Sequence, residues 1–360
     1  MHLLHLLLRL VDRLPGLGGH FLCRAARCRL HTVESEGPFG ADGFVWRFST
    51  GVAYDAGVKL LLVDGNYYVY RSFFAIRELS NSRGEPTNAI YGFIKVLRKM
   101  IRDLKPDLAA VLWDQGLPQR RVELQPDYKQ HRSEMPELMR PQLGKIRELV
   151  PLLGIHSLSL PDTEADDLMA SYACAALKRG DEVVLATNDK DLFQLVEDGV
   201  KIYSTNKTDL ATPKDAFALL GQEYVRTKWG VEPTQIGDIL CLVGDSADNI
   251  PGVPGMGPKR AVALISEFGS IDAVLARTNE IKNDSIREKI AGARDQILSN
   301  QQMVALDVDL PLPRPLEELG IRPRYEELVA ELELCEFKSL TQEIRDEAAK
   351  ASSAQGELLL

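Results

Sequence analysis

"KLLLVDG" (59–65) carries four apolar residues straight into an aspartate and a glycine. A run this short, with no polar residue alternating through it, fits a strand buried on both faces. Three more follow: "LAAVLW" (108–113) ends at Asp114, "EVVLAT" (182–187) is followed by Asn188 and Asp189, and "VKIY" (200–203) is the fourth. The stretches 88–103, 137–153 and 164–179 between them read as helices. Buried strands alternating with helices predict an α/β fold whose central, mainly parallel sheet is flanked by helices. Ligands of such sheets bind at the carboxyl ends of the strands, and three of the four runs lead into an aspartate there.

Nine acids are candidates on this basis: Asp64, Asp114, Glu164, Asp166, Asp167, Asp189, Asp191, Asp245 and Asp248. Glu164, Asp166 and Asp167 sit in "PDTEADDL", where Thr163 is the expected N-cap; Asp245 and Asp248 sit in "GDSADN". Magnesium and manganese prefer carboxylate oxygen and water, and a pair of ions ~3.5–4 Å apart needs several acids held together. Each group alone also has an ordinary reading. First-turn acids suit a helix dipole, and an aspartate after a strand suits a turn.

Two other segments bear on chemistry. Arg120, Arg121, Tyr128, Lys129 and Arg132 lie between Asp114 and the helix near 137, with Lys129 and Arg132 on one face if the segment is helical. Cations beside an aromatic suit a phosphodiester and an unstacked base; taken without the neighbouring acids, the segment reads rather as a solvated loop. "GVPGMGPKRA" (252–261) places Gly252, Gly255 and Gly257 before a helix that Pro258 can start. With a helix reading before it, this is either a helix, glycine hairpin and helix whose amides can approach phosphate, aided by Lys259 and Arg260, or a simple helix–turn–helix packing corner. No GxSxG elbow or P-loop is present, and only His131 and His156 follow residue 33.

Composition sets bounds. The 360 residues are 45% hydrophobic and 26% charged, ordinary values for a globular chain. No stretch reaches the ~18 apolar residues of a membrane span. Cys23, Cys28, Cys174, Cys241 and Cys335 form no CxxC pair. The net charge of −9 speaks against a nucleic-acid partner only if the acids are surface charge; neutralised by bound cations, they attract phosphate.

The motifs "LLVDGNYYVYRSFFA", "SRGEPTNAIYGF", "PDYKQHR", "EADDLMAS", "TNDKDLFQLV" and "GDSADNIPGVPGMGPKRA" resemble, in order and spacing, the 5′ nuclease domain of bacterial DNA polymerase I. Free-standing 5′–3′ exonucleases and flap endonucleases are similar, and the resemblance covers about residues 58–310. It implies a PIN-like core, a helical arch near 115–140 and a helix–hairpin–helix region. It implies two magnesium ions (manganese able to substitute), one served by Asp64, Asp114, Glu164, Asp166 and Asp167, the other by Asp189, Asp191, Asp245 and Asp248. Tyr128, Lys129, Arg132 and Arg121 would act at the arch, and potassium could bind at the 252–257 turn. The substrates implied are 5′ flaps, nicks and RNA primers on DNA, cut by a monomer that could partner a separate polymerase. Trp113, Ser246 with Ala247, and Pro254 depart from the family's usual residues without removing a metal ligand.

The expected domains are 58–211 (α/β), 212–345 (helical) and a tail at 346–360. Residues 1–57 stand apart: the first 33 hold five arginines, four histidines and one acid, Asp12. That resembles a mitochondrial or plastid transit peptide; the other reading is an extension from an upstream start codon on a cytoplasmic bacterial protein. Nothing after 345 is long enough for a polymerase domain, so a free-standing form is expected. Two rivals remain at this level: a DNA-binding member with a crippled metal site, and a small ribonuclease with a similar acidic core.

Overall fold

The computed structural model describes residues 57–212 and 214–357. The leader expected at 1–57 therefore lies, Gly57 aside, outside the described residues. The first half reads β1 (Lys59–Asp64), α1 (Gly65–Ala75), α2 (Asn88–Leu104), β2 (Leu108–Leu112), α3 (Gln119–Leu124), α4 (Arg140–Leu152), β3 (His156–Leu158), α5 (Ala165–Arg179), β4 (Glu182–Ala186), β5 (Val200–Ser204) and β6 (Ala218–Leu220). The second half reads α6 (Gln222–Trp229), α7 (Ile236–Val243), β7 (Gly244–Asp245), β8 (Ile250–Pro251), α8 (Pro258–Phe268), α9 (Ile271–Ala276), α10 (Asp284–Gly292), α11 (Arg294–Val304), α12 (Tyr325–Leu334) and α13 (Lys338–Glu357).

The sheet order is β3-β2-β1-β4-β5-β6, parallel throughout except for the edge strand β6. The chain builds outward from β1 to β3, then crosses back to build β4 to β6. The strand order thus reverses between β1 and β4, where a doubly wound sheet opens its crevice. Asp64 ends one of these strands and Asp189 follows the other.

Alternate residues of β1 feed two cores. Leu60 and Leu62 face α5 and the helical second half, while Leu61 and Val63 face α1, α2, α4, α12 and α13. Fully burying each such side chain stabilises by about 1.5–3 kcal/mol. In α2, Ile90, Phe93, Ile94, Leu97 and Met100 line one buried stripe at helical spacing. The α5 helix opens on Asp166 and Asp167, closes on Lys178 and Arg179, and stops at Gly180 in the left-handed region (φ 89°), matching the helix dipole and the usual glycine stop.

Two boundaries differ from the sequence reading. The sheet continues past 211, because β6 pairs with β5 through Ile202–Leu220. The last helix runs on through Glu357 and is anchored where Arg98 meets both Glu343 (2.6 Å) and Glu347 (2.5 Å). Among the described residues no helix is long and apolar enough to cross a membrane.

Candidate active site

The acids reach the crevice by different local devices. Asp64 ends β1 and caps α1: Oδ1 accepts from the Tyr67 N–H (2.9 Å) and Oδ2 from the Thr187 hydroxyl (3.1 Å). Gly65 follows it, and a side chain there would collide with the Trp113 ring. Trp113 is buried, stacks on Phe93 and donates to Ser157 Oγ (2.8 Å). Asp114, just past β2, caps α5 from a neighbouring strand, since its Oδ1 accepts from the Ala165 N–H (2.8 Å). Thr163, the expected cap, instead donates to the Pro161 carbonyl. Glu164 occupies the cap position without a capping bond, so its carboxylate is left to the cations described below. Asp189 Oδ1 accepts from the Asp191 N–H (2.9 Å), and Asp191 opens a short 3-10 turn to Leu195.

One carboxylate oxygen from each of Asp191, Asp245 and Asp248 lies within 4.8 Å of the others. Burial comes first in pushing Asp64 up to about 7, with the charges of Asp114 and Asp189 adding to it and the Tyr67 and Thr187 bonds opposing. Burial likewise pushes Asp191 up to about 8, helped by Asp189, Asp245 and Asp248. Asp166 stands well above the usual carboxylate range, through burial and then through Asp189, Asp64 and Asp114. Asp189 is raised too, by burial and then by Asp248 and Asp245, against the Asp191 N–H. This mutual influence draws seven of the nine acids into one neighbourhood. Asp166 Oδ1 and Asp191 Oδ1 are buried with no hydrogen-bond partner among the described residues. Desolvated, unpartnered carboxylate oxygens are the donor set that a hard divalent cation takes.

Cations crowd the same place. Residues 127–132 form turns rather than the helix considered from sequence, and Lys129 sits in the left-handed region (φ 57°). Its N–H donates to the Asp248 carbonyl (3.1 Å), and its ammonium pairs with Glu164 and lies 3.5 Å from Asp248 Oδ2. Burial alone would lower that ammonium, but Glu164 and Asp248 outweigh it and hold it above its ordinary range. Arg132 pairs with Asp248 (2.6 Å), and Lys190, which the sequence reading passed over, pairs with Asp245 (2.8 Å).

Two sequence expectations change here. Tyr128 is no exposed stacking ring: it is buried, and its hydroxyl donates to Glu164 Oε2 (3.1 Å) beneath the Lys129 ammonium. Arg121 is only 4% exposed, its guanidinium turned onto acids and backbone carbonyls. It forks onto Asp167 (2.6 and 2.8 Å), pairs with Glu164 and donates to the Met303 and Ala305 carbonyls. Both Asp167 oxygens are thereby engaged, its Oδ1 also taking the Asp307 N–H (3.0 Å). Burial raises it, against the Arg121 charge and hydrogen bonds and the Asp307 N–H. Spacing could not reveal a pair 46 residues apart.

The expected hairpin is formed by α7, the β7–β8 ribbon and the turn leading into α8. Gly252 packs so tightly that a Cβ there would overlap the Val243 carbonyl, and Gly255 has φ 73°. Gly257 takes the N-cap position and Pro258 the first helical one. Lys259 and Arg260 are exposed, and Arg260 donates to the Gly255 carbonyl (2.8 Å). Lys289 of α10, missed from sequence, brings its ammonium to the same turn. The ribbon and the cation segment are tied together, since Asn249 Nδ2 donates to the Asp127 carbonyl and side chain (2.9 Å each).

Residues 59–230 match the family model of the 5′-3′ exonuclease N-terminal resolvase-like domain, and residues 231–327 that of its C-terminal SAM fold. The chain belongs to the 5′-3′ exonuclease family, which makes it a nuclease. The 5′-3′ exonuclease of Aquifex aeolicus is 36% identical over 79% of this chain and 94% of its own length. DNA polymerase I of Thermus thermophilus is 40% identical over the same share of this chain but only 33% of its own, so the chain spans about a third of that relative. In fold it is similar to the metal-bound T5 5′-exonuclease (TM-score 0.58, 20% identity, 80% of this chain and 98% of that one). The catalytic core of Rad2 in complex with DNA substrate is similar as well (TM-score 0.53, 18% identity, 80% and 91%).

Proposed function

We propose that this nuclease hydrolyses phosphodiesters at 5′ flaps, nicks and RNA primers of DNA by a two-metal route, leaving 5′-phosphate and 3′-hydroxyl ends. The observation that carries this reading is the desolvated acid cluster at the switch point. Two of its buried oxygens lack any partner among the described residues, and three cations are drawn into it. The likeness in fold to a T5 flap endonuclease in complex with DNA and metal ions agrees with it.

Asp64, Asp114, Glu164 and Asp166 would hold one magnesium ion and Asp189, Asp191, Asp245 and Asp248 the other, with manganese able to replace either. Bound there, the pair supplies an activated water and charge neutralisation at the phosphate. Thr187 and the Tyr67 N–H fix the Asp64 carboxylate, and the Asp191 N–H fixes Asp189. Tyr128 orients Glu164. Lys129 and Arg132, paired with Glu164 and Asp248 at the crevice mouth, are the groups placed to take the scissile phosphate and offset its developing charge. Asp167 serves the site through Arg121. The turn at Gly252, Gly255 and Gly257, with Lys259, Arg260 and Lys289, offers amides and charge to the duplex backbone, and its carbonyls could hold potassium. The chain would act as a monomer in replication and repair, alongside a separate polymerase.

Cleavage of a labelled 5′-flap oligonucleotide in magnesium tests this. Site-specific cutting that chelator abolishes is expected. Tight flap binding with no cutting at any metal concentration would refute it.

A further inference from the structure

The C-terminal half of α11 is hydrogen-bonded both to the hairpin and to the metal-site region. Asn300 is fully buried, and its Nδ2 donates to the carbonyls of Cys241 (2.9 Å) and Pro251 (2.8 Å). Pro251 immediately precedes the Gly252 turn. Just beyond Asn300, the last carbonyls of α11 have no partners within the helix, and side chains of the catalytic region take each of them. Arg120 takes Gln302, Arg121 takes Met303 (3.0 Å) and Ala305 (2.8 Å), and Gln194 takes Val304 (3.2 Å). Guanidinium groups suit this negative end of the helix dipole. The rest of the Arg121 fork holds Glu164 and Asp167.

A continuous path therefore runs from Pro251 through Asn300 and α11 to Arg121 and Glu164, with no free loop in it. We infer that this strut sets the position of the cut. It fixes the distance between the turn that grips the duplex and the carboxylates that act on it, with Arg121 and Asn300 as positioning residues. The inference rests on the proposed flap cleavage. Neighbouring phosphates on a strand lie ~3.4 Å apart along the helix axis, so slack of that size in the strut brings a different phosphodiester to the site. A cation that merely neutralised buried acids would affect rate and stability but not the bond chosen.

Product lengths from an end-labelled 5′-flap substrate decide this. Asn300→Ala removes the grip on Pro251 and touches no carboxylate. It should raise the share of cuts at neighbouring phosphodiesters at least threefold, with the half-saturating magnesium concentration within twofold of wild type. Arg121→Lys, which replaces a fork with a single ammonium, should both spread the cuts and raise the magnesium requirement severalfold as Glu164 loosens. Variants that are slower or less stable but keep the single wild-type cut would overturn the strut; should Asn300→Ala not fold, Arg121→Lys decides the matter alone. Failure of the wild type to cut would overturn the nuclease mechanism instead.

Discussion

At the carboxyl end of the sheet, Asp64, Asp166, Asp189 and Asp191 lie partly buried beside one another and are held above the usual carboxylate range, by desolvation first. On α13, Glu343 is half-exposed, bridges Arg98 (2.6 Å) and Lys95 (3.2 Å), and is held below that range by the Arg98 hydrogen bond first. The residue chemistry is nearly the same, and the energetics are opposite. A paired carboxylate in water costs the fold little and returns up to about 1 kcal/mol. A desolvated cluster of like charges costs stability until something positive enters it. The first cluster thus marks function and the second marks packing.

The contrast can be broken most severely at Asp189. Asp189→Ala removes a group that influences both halves of the cluster, and flap cleavage should fall by roughly 10³-fold or more, as expected for losing several kcal/mol of metal-borne stabilisation. Gel-shift affinity for the flap should change little. Next comes Lys129→Ala, which should slow single-turnover cleavage by roughly 10²–10³-fold while duplex binding is mostly kept.

A smaller effect follows from pH. Asp64 and Asp191 rise from 3.8 to about 7 and about 8 on folding, so the folded state binds their protons more tightly than the unfolded chain does. Their contribution is present below about pH 4 and is lost as pH rises through 7 and 8. In chelator, Tm should fall between pH 5 and 8; magnesium should remove most of that fall, and Asp191→Asn should flatten it. A chelated protein whose Tm is level over this range would mean the cluster is not desolvated. The smallest effect belongs to the other region: Glu343→Gln should cost no more than about 1 kcal/mol in chemical denaturation and leave cleavage rates unchanged.

Much of this was legible in the sequence, for reasons that also mark its limit. The strands ending at Asp64 and before Asp114 and Asp189 announce themselves because a buried parallel strand is an unbroken apolar run. The turn at 252–257 shows because only glycine tolerates such close approach. His156–Leu158 and Ala218–Leu220 escaped because three-residue edge strands carry no run to read. The Arg121–Asp167 pair, the burial of Tyr128 and the reach of Lys289 were hidden because each depends on where a distant element packs. Sequence spacing gives a residue's type and face, whereas partners far along the chain are set by tertiary packing.

The direct test of the central claim is single-turnover cleavage of a 5′-flap substrate, prebound to metal-free protein, as magnesium is raised from zero. No product in chelator, and a rate that climbs more steeply than the first power of magnesium before it levels, is the outcome expected of eight carboxylates serving two ions. Cleavage that persists undiminished in chelator, or tight binding with no product at any magnesium concentration, would contradict it.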